Sequence, residues 1–151
     1  MHEVVIISAV RTPIGNFGGA LKDVPAAELG AITAREAIRR AGLSPDKIDA
    51  SIFGTARQAG NGPNLARQIA YHSQVPVDKT AFTVNKACAS GLKSITLAAQ
   101  SIMLGENQIV LAGGVESMSQ VPFLLKEARW GYRLGDGVLV DANNMDGYFD
   151  P

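Results

Sequence analysis

The chain has 151 residues, of which 46% are hydrophobic and 16 are glycine, and its 14 basic side chains balance 14 acidic ones. That length suits one domain of ordinary size, and the glycine content fits an α/β fold with tight strand-to-helix turns. The even charge leaves no footprint for nucleic acid or an anionic membrane, and a single cysteine excludes an intrachain disulfide, which is compatible with a reducing, cytoplasmic setting.

Residues 4–10, Val-Val-Ile-Ile-Ser-Ala-Val, form an apolar run too short for a membrane span and without a basic leader. The pattern predicts a first strand over residues 4–9, covered on both faces. Pro25 opens a helix with Ala27, Gly30, Ala34, Ala37, Ile38 and Ala41 on one side and Glu28, Arg35 and Arg39 on the other; Gly42 is its stop. A turn at Ser44-Pro45-Asp46 leads to a strand over residues 51–54. Asn61-Gly62-Pro63 then introduces a second helix, with Leu65 and Ile69, and Ala66 and Ala70, four apart. A third strand is predicted over residues 81–84. The helix after it carries Leu92, Ile95, Ala99 and Ile102 on one stripe, with Leu97, Ser101 and Leu104 uncharged on the other side. A helix apolar nearly all round is expected to lie between two layers. Gly105 ends it, and residues 108–115 are predicted as a fourth, interior strand. The alternation implies a mainly parallel sheet with its site at the carboxyl ends of the strands.

The only cysteine, Cys88, falls there, in the run Asn85-Lys86-Ala87-Cys88-Ala89-Ser90-Gly91. Unpaired N–H groups and the positive end of a helix dipole beginning at or next to it favour a thiolate and raise its nucleophilicity. The small residues Ala87, Ala89, Ser90 and Gly91 leave room for a carbonyl to approach the sulfur. A lone cysteine is more often a small buried hydrophobe, and here the flanking residues decide against that reading.

Those flanks resemble the thiolase family, in which the cysteine of an Asn-x-x-Cys-x-Ser-Gly run accepts the acyl group of an acyl-CoA. Further stretches match the family in order: Arg11-Thr12-Pro13-Ile14-Gly15, then Asn64-Leu65-Ala66-Arg67-Gln68, then Gly113-Gly114-Val115-Glu116-Ser117-Met118-Ser119. The stretch Ala128-Arg129-Trp130-Gly131-Tyr132-Arg133-Leu134-Gly135-Asp136-Gly137 is most similar to the family's acetyl-CoA acetyltransferase branch. The resemblance implies a layered α-β-α half with a mainly parallel sheet and a buried central helix. Residues 1–118 would be the first part of the N-terminal domain, and residues 119–151 the start of an inserted loop domain. Thiolases are longer, and their Gly-His-Pro histidine and second cysteine, in a Cys-x-Gly-Gly loop, have no counterpart here. The histidines His2 and His72 stand in neither that context nor a metal-ligand spacing. The chain is thus expected to be the N-terminal part of such an enzyme.

The resemblance further implies that Cys88 becomes acetylated by acetyl-CoA, with its own backbone N–H as oxyanion donor, and that a second acetyl-CoA condenses on it to give acetoacetyl-CoA, or the reverse. Coenzyme A thioesters are then substrates, with no bound cofactor, no metal, no nucleic acid and no membrane. The partner is a further copy, as in a homo-tetramer, or a complementary C-terminal half. Tyr148, in a stretch similar to the family's Asp-Gly-x-x-Asp, is a candidate for lining the acyl or pantetheine pocket. Ketoacyl synthases share the Ala-Cys-x-Ser and Gly-Gly-x-Glu runs, while the Arg-Thr-Pro and Ala-Arg-Gln runs favour thiolase. A broader-range 3-ketoacyl-CoA thiolase and a non-catalytic truncated or split-subunit assembly protein stay open. Glu116 is read as a structural hydrogen-bonding residue, Arg11 as a loop anchor, and His72 as a surface residue. Trp130, Tyr132, Tyr148 and Phe149 are expected to stay uncovered by this chain alone.

Overall fold

A computed structural model describes residues 2–148. Helix α1 (Ala26–Arg40) starts after Pro25, whose extended φ and ψ end the preceding loop. It closes at Gly42, where φ is +66° and the Leu43 and Gly42 N–H groups return to Ile38 and Arg39 carbonyls. Strand β1 (Ala50–Gly54) is buried along its whole length. Helix α2 (Leu65–His72) is capped by Asn64, whose Oδ1 accepts the Arg67 N–H at 3.0 Å. Strand β2 (Thr80–Val84), helix α3 (Ser90–Met103) and strand β3 (Val110–Gly114) complete the repeating unit.

The three strands form one parallel sheet in the order β2-β1-β3, with Ala50 opposite both Thr80 and Val110. On one face, α1 and α2 pack on each other and on Phe53 and Leu111, burying Ala34, Ile38, Leu65 and Ile69. Helix α3 covers the other face, across β1 and β3. At the amino end of the sheet, Asp49 accepts the Gln108 and Ile109 N–H groups at 2.9 and 3.0 Å, and these bonds hold its carboxyl below the usual carboxylate range.

Three expectations change. Residues 4–10 form no strand, and Val5, Ile6 and Ile7 are exposed, because among the described residues no strand pairs with them. β3 is correspondingly an edge strand and not an interior one. Helix α3 is covered on one side only, by a stripe of small residues: Ser90, Ser94, Ala98 and Ser101 are buried while Leu92 and Leu104 are 66% and 74% exposed. The apolar stripe that the sequence marks as core is therefore poorly covered by the described residues: Leu92 and Ile95 are exposed, and Ala99 and Ile102 only half-buried.

Beyond β3 the chain makes a short antiparallel pair, β4 (Phe123–Leu124) with β5 (Val140–Asp141), and a one-turn helix α4 (Ala142–Gly147). Asn143 is buried there and its Nδ2 donates to the Met118 carbonyl. Trp130, Tyr132 and Tyr148 are exposed, as expected, and Phe149 lies outside the described residues.

Candidate functional site

Cys88 is exposed in the turn joining β2 to α3. It stands two residues before the first helical residue, slightly further out than its sequence suggests. The Asn-x-x-Cys-x-Ser pattern acquires a physical meaning in this turn. The Asn85 Oδ1 accepts the Ala87 N–H at 2.9 Å, and the Ser90 Oγ accepts the Lys86 N–H at 2.8 Å while donating to the Ala87 carbonyl at 2.6 Å. These bonds hold Ala87 at φ +47°, a left-handed conformation that an alanine adopts only when its surroundings over-determine it. The residue after this constrained position is Cys88, so the motif side chains present the sulfur without touching it.

The helix can sit so close to the sheet only because certain positions carry no side chain. A Cβ on Gly54 would overlap the Ser90 carbonyl and stand 2.6 Å from the Gly91 nitrogen. One on Gly114 would lie 2.8 Å from the Gly91 Cα. Ser94, fully buried, donates to the Gly113 carbonyl at 2.7 Å and ties the helix to β3. Glycines 54, 91 and 114 thus form a seam across which the start of α3 lies directly on the carboxyl ends of β1 and β3.

Glu116 completes this edge of the sheet. Its carboxylate accepts the Thr55 hydroxyl and the Ala56 and Arg57 N–H groups, the latter two at 3.1 and 2.9 Å, and so joins the loop after β1 to the loop after β3. That is the structural role read from the sequence. The Asn85 Nδ2 points at the Ala56 carbonyl from the third loop, at a long 3.4 Å. Thus the loops following the three strands are tied together at Asn85, three residues before Cys88.

Tyr148 has the Arg57 guanidinium 5.2 Å from its ring centre. Arg57 is 91% buried, and its Nε has no hydrogen-bond partner among the described residues. Sequence reasoning missed Arg57; a charged residue between the apolar strand β1 and the turn glycines was the available signal. The histidines are elsewhere. His2 lies against Gly105, at the far end of α3, about 20 Å from its start by the rise of a 14-residue helix. His72 ends α2, its carbonyl accepting from Arg35 and its ring edge-on to Tyr71. Among the described residues Arg11 bonds only the neighbouring Thr12 carbonyl, at 3.1 Å. No group of three or more metal-ligating side chains gathers among the described residues, and no helix there is long and apolar enough to cross a membrane.

Comparison with known proteins agrees with this architecture. Residues 4–150 match the family model described as thiolase, N-terminal domain. The chain is 51% identical over 151 residues to an acetyl-CoA acetyltransferase of Syntrophomonas wolfei, and 53% identical over 150 residues to a protein of Staphylococcus aureus named as a probable acetyl-CoA acyltransferase. In each case the match takes in 99% of this chain and 38% of the relative. The crystal structure of the Bacillus anthracis acetyl-CoA acetyltransferase superimposes with a TM-score of 0.89 at 45% identity, over 93% of this chain and 36% of that one. The chain spans little more than a third of the length of these relatives, and within that span it belongs to the thiolase family, as its N-terminal domain.

Proposed function

We propose that this chain supplies the nucleophile of a thiolase acting on acetyl-CoA. The Cys88 sulfur attacks the thioester carbonyl, an S–C bond forms, and coenzyme A leaves as the thiol to give acetyl-Cys88. A second acetyl-CoA then loses a proton beside its carbonyl. Its carbanion forms the new C–C bond at the acetyl carbon, and the Cys88 thiolate departs, releasing acetoacetyl-CoA; the reverse direction is thiolysis. The Cys88 N–H is the oxyanion donor, coenzyme A thioesters are substrates and not resident cofactors, and Tyr148 lines the acyl or pantetheine pocket over Arg57.

The observation that carries this reading is the exposed Cys88 beside a left-handed Ala87, in the turn between β2 and α3. Neither histidine is near enough to serve as base, so carbanion formation belongs to residues beyond this span. We assign residues 1–118 to the N-terminal domain and residues 119–151 to the start of the loop domain. The working assembly is a cytoplasmic homo-oligomer. A broader acyl range is the second reading, favoured by the Staphylococcus aureus relative's name.

The test is acyl transfer to the chain itself. Incubation with acetyl-CoA is expected to add one acetyl group, located by peptide mass spectrometry on Cys88 and absent from Cys88→Ala. The same preparation is expected to make no acetoacetyl-CoA above background, since loss of one acid–base group costs on the order of 10²-fold or more. Acetylation that persists in Cys88→Ala, or turnover that does so, would overturn the assignment.

A further inference from the structure

A buried charge is ordinarily paired, and Arg57 is a buried cation without a pair. It keeps only 9% of its surface in solvent. Its backbone is fixed from both sides: the N–H donates to the Glu116 carboxylate at 2.9 Å, and the carbonyl accepts from the Asn61 Nδ2 at 2.6 Å. The guanidinium is enclosed by the end of α4. A Cβ on Gly147 would overlap its Cζ and both terminal nitrogens, and the Tyr148 ring centre lies 5.2 Å from Cζ. Tyr148 is itself 72% exposed, so the cation lies one aromatic ring below solvent. The Arg57 Nε has no hydrogen-bond partner, and among the described residues no carboxylate stands within ion-pair distance of the guanidinium. Glu116, the acid bonded to this loop, spends its oxygens on the Thr55 hydroxyl and the Ala56 and Arg57 N–H groups.

The face of a tyrosine ring attracts a cation but offers no lone pair in the guanidinium plane, so the in-plane N–H groups still lack an acceptor. Packing alone does not call for this residue, since an apolar side chain would fill the space and leave no charge uncompensated. The acceptor that matches is planar and singly charged. A carboxylate presents two oxygens in the geometry of a guanidinium edge and cancels one positive charge. Residues 55–64 and helix α4 hold no other basic residue, so a phosphate dianion would bring in a second charge with nothing to balance it. We infer that Arg57, between Gly147 and Tyr148, is a binding site for the carboxylate of a small organic acid, either free or carried at the far end of the acyl group of a thioester. The acyl-borne source rests on the reading of Cys88 as nucleophile. Its support is that Ala56, next to Arg57, turns its carbonyl toward the Asn85 amide, three residues before Cys88. The free-acid source is independent of that reading.

The first arm of the test does not involve Cys88. Thermal unfolding of the chain and of Arg57→Leu is followed with sodium glutarate, with neutral glutaramide and with sodium phosphate, at matched ionic strength. Glutarate at about tenfold its dissociation constant should raise the parent's melting temperature by about 3 °C or more, and the other two should not. Arg57→Leu should melt no lower than the parent without ligand, because it removes an unpaired buried charge, and should lose the glutarate response. The second arm separates the two sources. Acylation of Cys88 by glutaryl-CoA and by pentanoyl-CoA, of equal chain length, is timed by mass spectrometry. For an acyl-borne carboxylate, Arg57→Leu should lower the glutaryl-to-pentanoyl rate ratio at least about tenfold, the scale of a hydrogen bond to a charged group. A lost glutarate response with an unchanged ratio assigns the site to the free acid. If no thioester labels Cys88, the nucleophile reading fails while the glutarate arm still decides the site. Three results would overturn the inference: a glutarate response that survives in Arg57→Leu or is missing from the parent, an equal response to phosphate, and a lower melting temperature for ligand-free Arg57→Leu. The last would mean that the chain's own groups already pair with the guanidinium.

Discussion

The two sides of α3 obey opposite rules. Toward the sheet, the helix presents Ser90, Gly91, Ser94 and Ala98, and meets glycines 54 and 114 at distances that admit no side chain. Toward the other side it presents Leu92, Ile95, Met103 and Leu104, all exposed. The finished contact is made of small and polar groups, while the large apolar groups are still uncovered. Apolar area determines how much a helix gains from burial, but a close approach between backbones is set by what is missing at the contact. Cys88 is positioned by the first kind of contact, and the surroundings of α3 depend on the second.

The largest break in that comparison should come from Gly54→Ala. The new methyl would have to occupy the space of the Ser90 carbonyl, which is backbone and cannot move alone. A loss of about 3 kcal/mol or more is expected, at the upper end of overpacking costs. Thermal unfolding would read it, together with a changed rate of Cys88 alkylation in the folded fraction. A fully stable Gly54→Ala chain with unchanged alkylation would show that the seam does not hold the turn.

A smaller effect is expected at the opposite end of the sheet. Asp49 is held as a carboxylate by the Gln108 and Ile109 N–H groups, with Lys79 Nζ 3.8 Å away. Its folded pKa is depressed, so its contribution is present above the unfolded value of about 3.9 and is lost as the pH falls through the lower folded value. Asp49→Asn should cost about 1 to 2 kcal/mol at neutral pH, in the range of hydrogen bonds to a charged group, and the difference from the parent chain should shrink below about pH 4. Denaturant titrations at pH 7 and pH 3 test this, and an equal deficit at both would refute the carboxylate's role.

The smallest effect belongs to the uncovered side. Leu92→Gln replaces a side chain that touches little and should change stability by no more than about 0.5 kcal/mol. It should nevertheless reduce self-association measured by sedimentation velocity, since large exposed apolar patches drive association. A drop in stability comparable with that of Gly54→Ala would mean that the chain already covers this face.

Much of the fold was legible along the chain. Pro25, Gly42 and Asn64 mark helix ends because their backbone and capping chemistry is local, and residues 51–54 and 81–84 read as strands from their β-branched and aromatic content. The family was legible too, since the ordered motifs around Cys88 and Glu116 need no coordinates to be recognised. Glu116 was rightly read as a structural acceptor. Residues 4–9 were not legible in the same way. Their composition states a preference for burial on both faces, but a strand exists only when a neighbour accepts its hydrogen bonds, and none is paired with it among the described residues.

The sequence by itself therefore determined the local elements, the family, and Cys88 as the candidate nucleophile, since each is encoded in adjacent residues. Only the tertiary structure decided that the order is β2-β1-β3, that α3 seats its serine stripe and not its leucines, that Arg57 lies beneath Tyr148, and that β3 keeps an open edge. The reason is physical. Periodicity records which side chains would gain from leaving water, whereas partner, register and distance of approach arise from residues remote in the chain, and at the seam from side chains that are not there.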